Sequence, residues 1–241
     1  MEKKEKENII KIEVKALSNL FIGGTPRPFE IGGIDQWTAV DEYGFPCIPA
    51  SSLKGALRAI VAEDRSPVAL EIAQWYEEML KAEMTQIREK FKGNAEMVDR
   101  IERRYQEVLK QSSAVYLFGI REFNNTPKLL FNDLRLKKEY QDLDSCFSID
   151  TKTAIDSINS KPVSNPRTYK AVKKGMEFEG EIEFYRFDGG EFDEDKMRKC
   201  QEYIIYNLYK FNEGIYRLGN SKSRGCGKIH VSAIGGNGKS I

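Results

Sequence analysis

The stretch IPASSLKGALRAIVAE, Ile48 to Glu63, decides how the chain is organised. Leu53, Ala56, Leu57, Ile60 and Val61 recur at three- and four-residue steps, which predicts an amphipathic helix. The helix starts at Ala50-Ser51-Ser52, where either serine hydroxyl can accept a bond from the first free amides. Upstream, Ile10, Ile12 and Val14 alternate with Lys11, Glu13 and Lys15, the period-two pattern of a half-buried strand. A loop punctuated by Gly23-Gly24 and Gly32-Gly33 joins the two. Downstream, Ser66-Pro67 opens a second helical block carried by Leu70, Ala73, Tyr76, Leu80, Met84, Ile87 and Phe91. Gly93-Asn94 breaks it, and Met97, Ile101, Tyr105 and Val108 resume the stripe. The block, about 64–112, reads as a charged helical hairpin inserted outside the core. Leu129, Phe131 and Leu136 mark a strand region, and Phe178 to Phe187 alternates again. Met197, Cys200, Ile204 and Leu208 form another helix stopped near Asn212-Glu213-Gly214, and Ile229, Val231 and Ala233 close the chain with a strand. The order predicts one α+β domain over 1–241 with a ferredoxin-like (RRM-like) βαββαβ core.

Composition narrows the function. Of 241 residues 40% are hydrophobic, enough for a sizeable core, yet no run approaches the roughly 20 apolar residues of a membrane span. The amino end, MEKKEKENIIKIEV, lacks a signal peptide's apolar run, so a cytoplasmic protein without membrane partners is expected. Cys47, Cys146, Cys200 and Cys226 are scattered and His230 is the one histidine, which excludes a zinc ligand set and weakens any His-based nucleophile mechanism. His230 alternates with Ile229 and Val231 and is expected on half-buried surface. The tail Gly235 to Ser240 is not a phosphate loop, because Ala233 stands where the pattern needs glycine and no helix follows.

Lys plus Arg total 38 against 37 Asp plus Glu, a net charge of +1 that argues against coating nucleic acid by bulk charge. The total hides sorting. Tyr216 to Val231, YRLGNSKSRGCGKIHV, carries Arg217, Lys222, Arg224 and Lys228 and no acid. The stretch from Ser157 to Lys174 carries Lys161, Arg167, Lys170, Lys173 and Lys174, again without an acid, and the helix at Ser51 carries Lys54 and Arg58. Each loop alone reads as solvated surface. Three together point to a groove that tracks a nucleic-acid backbone, since small residues let amides and cations reach phosphates together.

These residues, taken in order, resemble the RAMP superfamily. LFIGGTPRPFEIGGID ending at Asp35, IPASSLKGALR from Ile48 to Arg58, Leu117-Phe118-Gly119, Leu130-Phe131-Asn132-Asp133, KTAIDSINSKPVSNPR and GNSKSRGCGK follow the superfamily's sequence of motifs. IGGID and the TAID stretch look like the repeated, Csm-type (Cas-seven-like) backbone subunit of type III CRISPR-Cas interference complexes. The resemblance implies a subunit that polymerises along a CRISPR RNA guide, docks on other effector subunits and cleaves complementary target RNA at regular intervals.

By the same resemblance, Ser51, Ser52, Lys54 and Arg58 contact the guide backbone, with Ser221, Lys222, Ser223 and Arg224 on the glycine-rich loop. Gly32, Gly33, Gly219, Gly225 and Gly227 shape the loops. A thumb-like β-hairpin loop, about 140–174, adds Lys161, Arg167 and Lys170, and Ile155 and Ile158 wedge between displaced bases. Asp35, in isolation a turn former, matches the family's catalytic aspartate in a reaction dependent on Mg²⁺ or Mn²⁺. It would hold the metal or orient the attacking 2′-hydroxyl, which sequence leaves open. Asp41 and Glu42 read as a structural turn, Asp133 as a strand end and Asp156 as a thumb-folding residue. Two alternatives stand beside this reading: a structural RNA-binding subunit without chemistry, and a guide-processing endoribonuclease, for which only His230 is available.

Overall fold

The computed structural model describes residues 8–24, 34–140, 142–158, 161–187 and 192–235; the side chains of Lys152 and of residues 154–166 are not described. Two sheets organise it. The larger has six strands, β1 (Ile9–Ala16), β3 (Cys47–Ile48), β4 (Lys128–Phe131), β5 (Leu134–Leu136), β8 (Glu177–Tyr185) and β9 (Ile229–Gly235). β1 lies between β8 and β9, antiparallel to β8 with Ile12 opposite Gly180 and antiparallel to β9 with Ile12 opposite Ala233. β4 and β5 pair with the far edge of β8.

One face of this sheet is apolar because the alternation demands it. Ile10, Ile12 and Val14 of β1, Phe178, Ile182 and Phe184 of β8, and Ile229, Val231 and Ala233 of β9 are buried together. Helices α1 (Ala50–Glu63) and α4 (Glu194–Tyr209) supply the other half of that core through Leu53, Leu57, Ile60 and Val61 and through Cys200, Ile204 and Leu208. α4 is capped by the Asp193 side chain, which accepts from the Lys196 amide, and the turn after it closes at Gly214 with φ +79°.

The helical hairpin consists of α2 (Pro67–Lys90) and α3 (Ala95–Leu109), capped by Ser66 and Asn94. It is not wholly an appendage. Ala69, Ile72, Trp75, Tyr76, Met79 and Leu80 belong to the main core, and the Tyr76 hydroxyl donates to Pro127 O at 2.7 Å. The buried stripe runs through Ile72 and Trp75, while Leu70, expected inside, is 62% exposed. From Met84 onward α2 pairs with α3: Met84, Ile87, Ile101 and Val108 are partly buried against the core, which Tyr105, the single buried residue of α3, enters.

The second sheet is absent from the strands read from the sequence. β6 (Phe147–Ile158) and β7 (Lys161–Val172) pair antiparallel over twelve residues each, with β2 (Gln36–Trp37) parallel to β7. Sequence alone presents this region as a basic loop, with a hairpin implied by resemblance. β6 does alternate, with Phe147, Ile149, Thr151, Thr153 and Ile155 at every second position, a trace the sequence reading passes over, while β7 carries Pro162 and Pro166, which speak against a strand.

Candidate nucleic-acid interface

The amino end of α1 departs from the serine cap expected of it. Pro49 occupies the cap position and offers no side-chain bond. The Asp133 carboxylate, from the turn between β4 and β5, accepts from the Ala50 amide at 2.7 Å instead. A carboxylate at a helix amino end satisfies both an orphan amide and the helix dipole. Ser51 and Ser52 are thereby released from capping, and both residues line an open cleft.

That cleft, about 420 Å³, has α1 as one wall through Ser51, Ser52, Gly55, Ala56 and Ala59. Ile22 and Gly23 form its base, and Gly219, Asn220 and Lys222 form the opposite wall. The α1 wall carries no side chain longer than serine, so an extended backbone can approach the helix closely. Gly55, Ala56 and Ala59 enter the sequence reading only as helix positions; their small size at i, i+1 and i+4 is the signal that points to the wall.

The glycine-rich loop can form this wall only with glycine at two points. Gly219, at φ +79°, lies so close to the preceding strand that a Cβ would stand 2.3 Å from Phe21 O. Gly227, at φ +81°, would put one 2.1 Å from Leu218 O. Both contacts are far inside van der Waals range, and both backbones are left-handed. Between them Ser221 also adopts φ +57°, and a 3-10 turn over Lys222–Arg224 ends at Gly225. Arg217 donates to Lys222 O at 2.7 Å and so holds the tip. Lys222, Ser223 and Arg224 remain exposed.

Lys54 and Arg58 lie on a neighbouring strip of α1, outside the cleft lining. Lys54 sits 6.0 Å from the Phe131 ring centroid, and burial together with the charges of Arg58 and Lys128 pulls its pKa below the usual lysine value. Lys128 is a third member of this cationic cluster that sequence reasoning missed, because β4 contributes it from a distant part of the chain. The open face of the main sheet, by contrast, presents Glu177, Glu179, Glu181 and Glu183 at alternate positions of β8. Lys11 and Lys15 of β1 stand opposite Glu181 and Glu177, and Lys15 and Lys137 pair with Glu177, so that face is of mixed charge. Lys54, Arg58 and Lys128, by comparison, cluster without such pairing to an acid among the described residues.

The segment Ser18 to Ile22 joins the cleft to the β6–β7 ribbon. On one side Gly227 N donates to Asn19 O at 3.0 Å and Asn220 N to Phe21 O at 2.7 Å. On the other, Leu20 and Val172 exchange backbone bonds of 2.9 and 2.8 Å, and the Phe21 ring meets the Tyr169 ring edge-on at 5.2 Å. The chain also meets the ribbon just ahead of β2. Asp35 N donates to Thr168 O at 2.9 Å, and one Asp35 carboxylate oxygen accepts from Thr168 N at 2.7 Å. The other oxygen has no protein partner among the described residues, and the side chain is exposed.

Lys170, assigned to RNA contact by the resemblance, lies at the seam between β2 and the ribbon. Its ammonium lies 4.5 Å from the Trp37 ring centroid and 4.4 Å from that of Phe147, clamping β2 onto the ribbon. Arg167 is exposed on β7. Ile155, Ile158 and Lys161 lie in the ribbon, but their side chains fall outside the described residues, as does that of Asp156. Gly32 and Gly33 fall outside them entirely. Asp41 forms the expected turn, accepting from Tyr43 N and Phe45 N, and Glu42 pairs with Arg135 at 3.1 Å. His230 is exposed on the open sheet face rather than half-buried. All four cysteines are buried thiols outside any disulfide, and no helix among the described residues is long and apolar enough to cross a membrane.

The assembly is that of an α+β protein with a small-residue, cation-flanked cleft at a helix amino end, a form suited to gripping a polymer backbone. The chain belongs to the RAMP superfamily, whose family model matches residues 13–230, and its likenesses are to the Csm and Cmr kind of member. It is 28% identical over 233 residues to a Methanocaldococcus jannaschii protein, the CRISPR system Cms endoribonuclease Csm3, covering 95% of this chain and 78% of that one. Its fold is similar to a chain in the cryo-electron microscopy structure of the type III-B Cmr-beta bound to cognate target RNA. The TM-score is 0.51 at 18% identity, over 95% of this chain and 61% of that one.

Proposed function

We propose that the protein is a guide-binding backbone subunit of a type III CRISPR effector complex and that it cleaves complementary target RNA through Asp35. The core order β1, α1, β4/β5, β8, α4, β9, with β1 between β8 and β9, supports a ferredoxin-like reading of its core. The guide backbone lies in the cleft between α1 and the glycine-rich loop, contacting Ser51, Ser52, Lys222, Ser223 and Arg224. Lys54, Arg58 and Lys128 extend the path. The ribbon, with Arg167 on β7, is the thumb that interrupts the guide–target duplex, and base pairing with the guide chooses the target. Copies of the chain stack along the guide beside other effector subunits.

The observation that carries the reading is the position of Asp35, held to the ribbon by Thr168 with one oxygen facing solvent. The described residues contain no cluster of three or more His, Cys, Asp or Glu side chains, so no protein-built metal cage is present among them. A single free carboxylate oxygen does fit Mg²⁺ or Mn²⁺ that keeps most of its waters and takes its other ligands from RNA phosphates. Such an ion would neutralise charge developing on the reacting phosphate. Asp35 itself contributes a carboxylate held in place by the Thr168 amide, against which the metal or the 2′-hydroxyl is oriented.

The same hydrogen bond favours the second reading, in which Asp35 only fastens its segment to the ribbon and the subunit is purely structural. Asp35→Asn separates them, because its amide oxygen can still accept from Thr168 N while the charge is gone. In complexes assembled with guide RNA and Mg²⁺, Asp35→Asn should bind target normally and cut it at least about 10²-fold more slowly. Unchanged cutting in both Asp35→Asn and Asp35→Ala removes Asp35 from the chemistry.

A further inference from the structure

Asn19 is the point at which the cleft and the ribbon meet. Its backbone carbonyl accepts from Gly227 N in the glycine-rich loop. Its side-chain amide faces the ribbon's base: Nδ2 donates to both Asp150 carboxylate oxygens at 3.1 and 3.0 Å and reaches Ser148 Oγ at 3.2 Å, while Oδ1 accepts from Lys174 N at 3.1 Å. Ser148 Oγ donates in turn to Asp150 Oδ1 at 2.9 Å. One side chain therefore ties β6, and the segment that follows β7, to the residue that carries the glycine-rich loop. The base of the ribbon is held by this joint together with the Leu20–Val172 bridge, the Phe21–Tyr169 contact, the pairing of β2 with β7 and the burial of Val172 in the main core. The joint is the contact that ties β6 to the residue bonded to the glycine-rich loop. Thr168, the anchor of Asp35, lies on the same strand as Val172, two repeats of the pleat further out.

We propose that Asn19 and Asp150 act as a positioning pair: they set the angle of the ribbon to the guide cleft and thereby fix where Asp35 meets the target. The proposal rests on the functional reading above for its consequence on cutting, but the joint itself is testable without any cutting. Asn19→Asp puts two carboxylates about 3 Å apart, which cannot both stay ionised without cost. The reciprocal pair Asn19→Asp with Asp150→Asn restores one amide facing one carboxylate in the opposite sense.

The experiment uses the full chain bound to a guide RNA oligonucleotide and, in parallel, the assembled complex with matched target. In the wild type, guide binding should slow hydrogen exchange at the Thr168 and Val172 amides. In Asn19→Asp that slowing should vanish while guide affinity is kept, and the double variant should recover it. Target cutting in Asn19→Asp should fall by up to about 10²-fold, as expected for an ångström-scale misplacement, and the cut positions should spread over neighbouring nucleotides. The double variant should return both rate and positions, a rescue that a general loss of stability would not give. If Asn19→Asp does not fold, Asp150→Asn alone carries the test, with a smaller spread expected. Exchange that responds to guide identically in wild type and variant, or a folded double variant without recovery, overturns the proposal. A wild-type complex that binds target and never cuts it overturns the functional reading instead, and the exchange result then decides the joint alone.

Discussion

The main sheet and the β6–β7 ribbon both contain long antiparallel pairs, yet different forces hold them. In the sheet the alternate side chains of β1, β8 and β9 are buried under α1 and α4, and burial fixes the register because a one-residue slip would turn the apolar face outward. The ribbon has twelve paired residues per strand, and of its described side chains only Ala171 and Val172, at its base, are buried. Where it is described near its base it exposes Ile149 to 65% and leaves Thr151 and Thr153 on the surface. A two-stranded ribbon of this kind is marginal alone, and polar joints to the segment Ser18–Ile22 and to β2 hold it in place. The sheet is a platform whose geometry is settled by packing. The ribbon is an arm whose position can be set by a few hydrogen bonds.

The contrast predicts a large gap between equivalent truncations. Leu57→Ala, on a fully buried α1 residue, should cost about 2–5 kcal/mol of unfolding free energy. Ile149→Ala should change it by no more than about 0.5 kcal/mol. Urea unfolding of both variants checks this, and a loss of several kcal/mol from Ile149→Ala would mean that the arm packs on something after all. Between these limits falls Gly219→Ala, which drives a Cβ toward Phe21 O. It should cost about 1–3 kcal/mol and weaken RNA binding, since the loop must lift off the strand. Gly55→Ala, on the open helix wall where a Cβ meets nothing within 4 Å, should stabilise α1 by up to about 1 kcal/mol.

The same contrast explains what can be read in the sequence. The alternation in Ile10–Val14 and Phe178–Phe184 and the stripe from Leu53 to Val61 are products of burial, and burial leaves a periodic trace. The ribbon's trace is weaker: Phe147, Ile149, Thr151, Thr153 and Ile155 alternate along β6, but threonines stand at its middle positions and the two prolines of β7 speak against a strand. The candidate site divides in the same way. Ser51, Ser52, Lys222 and Arg224 stand out by type and spacing. The Asp133 cap does not, since its partner Ala50 lies eighty-three positions away. Asn19 is one polar residue ahead of an apolar run, with nothing local to announce its distant partners Ser148, Asp150 and Lys174. For Lys170 the charge is visible in the sequence and the Trp37 and Phe147 rings around it are not.

Salt dependence sharpens the division between cleft and arm at a finer scale. For a single-stranded guide, removing one cation that neutralises a phosphate should flatten the slope of log affinity against log salt by about 0.7. Lys222→Ala and Arg224→Ala, on the cleft loop, should each show this without changing sequence preference. Lys170→Ala should show little of it, because that ammonium is engaged by two aromatic rings. A slope change at Lys170 equal to that at Lys222 would place RNA against the β2–ribbon seam.

The smallest effect expected concerns a proton. In the free protein, burial and then repulsion by Arg58 and Lys128 lower the Lys54 pKa below 10.5. A phosphate beside the ammonium would raise it again, because an opposite charge favours the charged form. The sign follows from linkage: where the bound pKa exceeds the free one, binding takes up a proton at alkaline pH, and affinity falls as pH rises through the free value. Guide binding should therefore be insensitive to pH near neutrality and weaken above it. Calorimetry in two alkaline buffers of different ionisation heat should register the uptake, and Lys54→Arg should abolish it while keeping the charge, since guanidinium does not titrate there. Proton uptake that persists in Lys54→Arg would assign the linkage to another cation. Its absence in the wild type would mean that no phosphate reaches Lys54, and would confine the guide to the cleft between α1 and the glycine-rich loop.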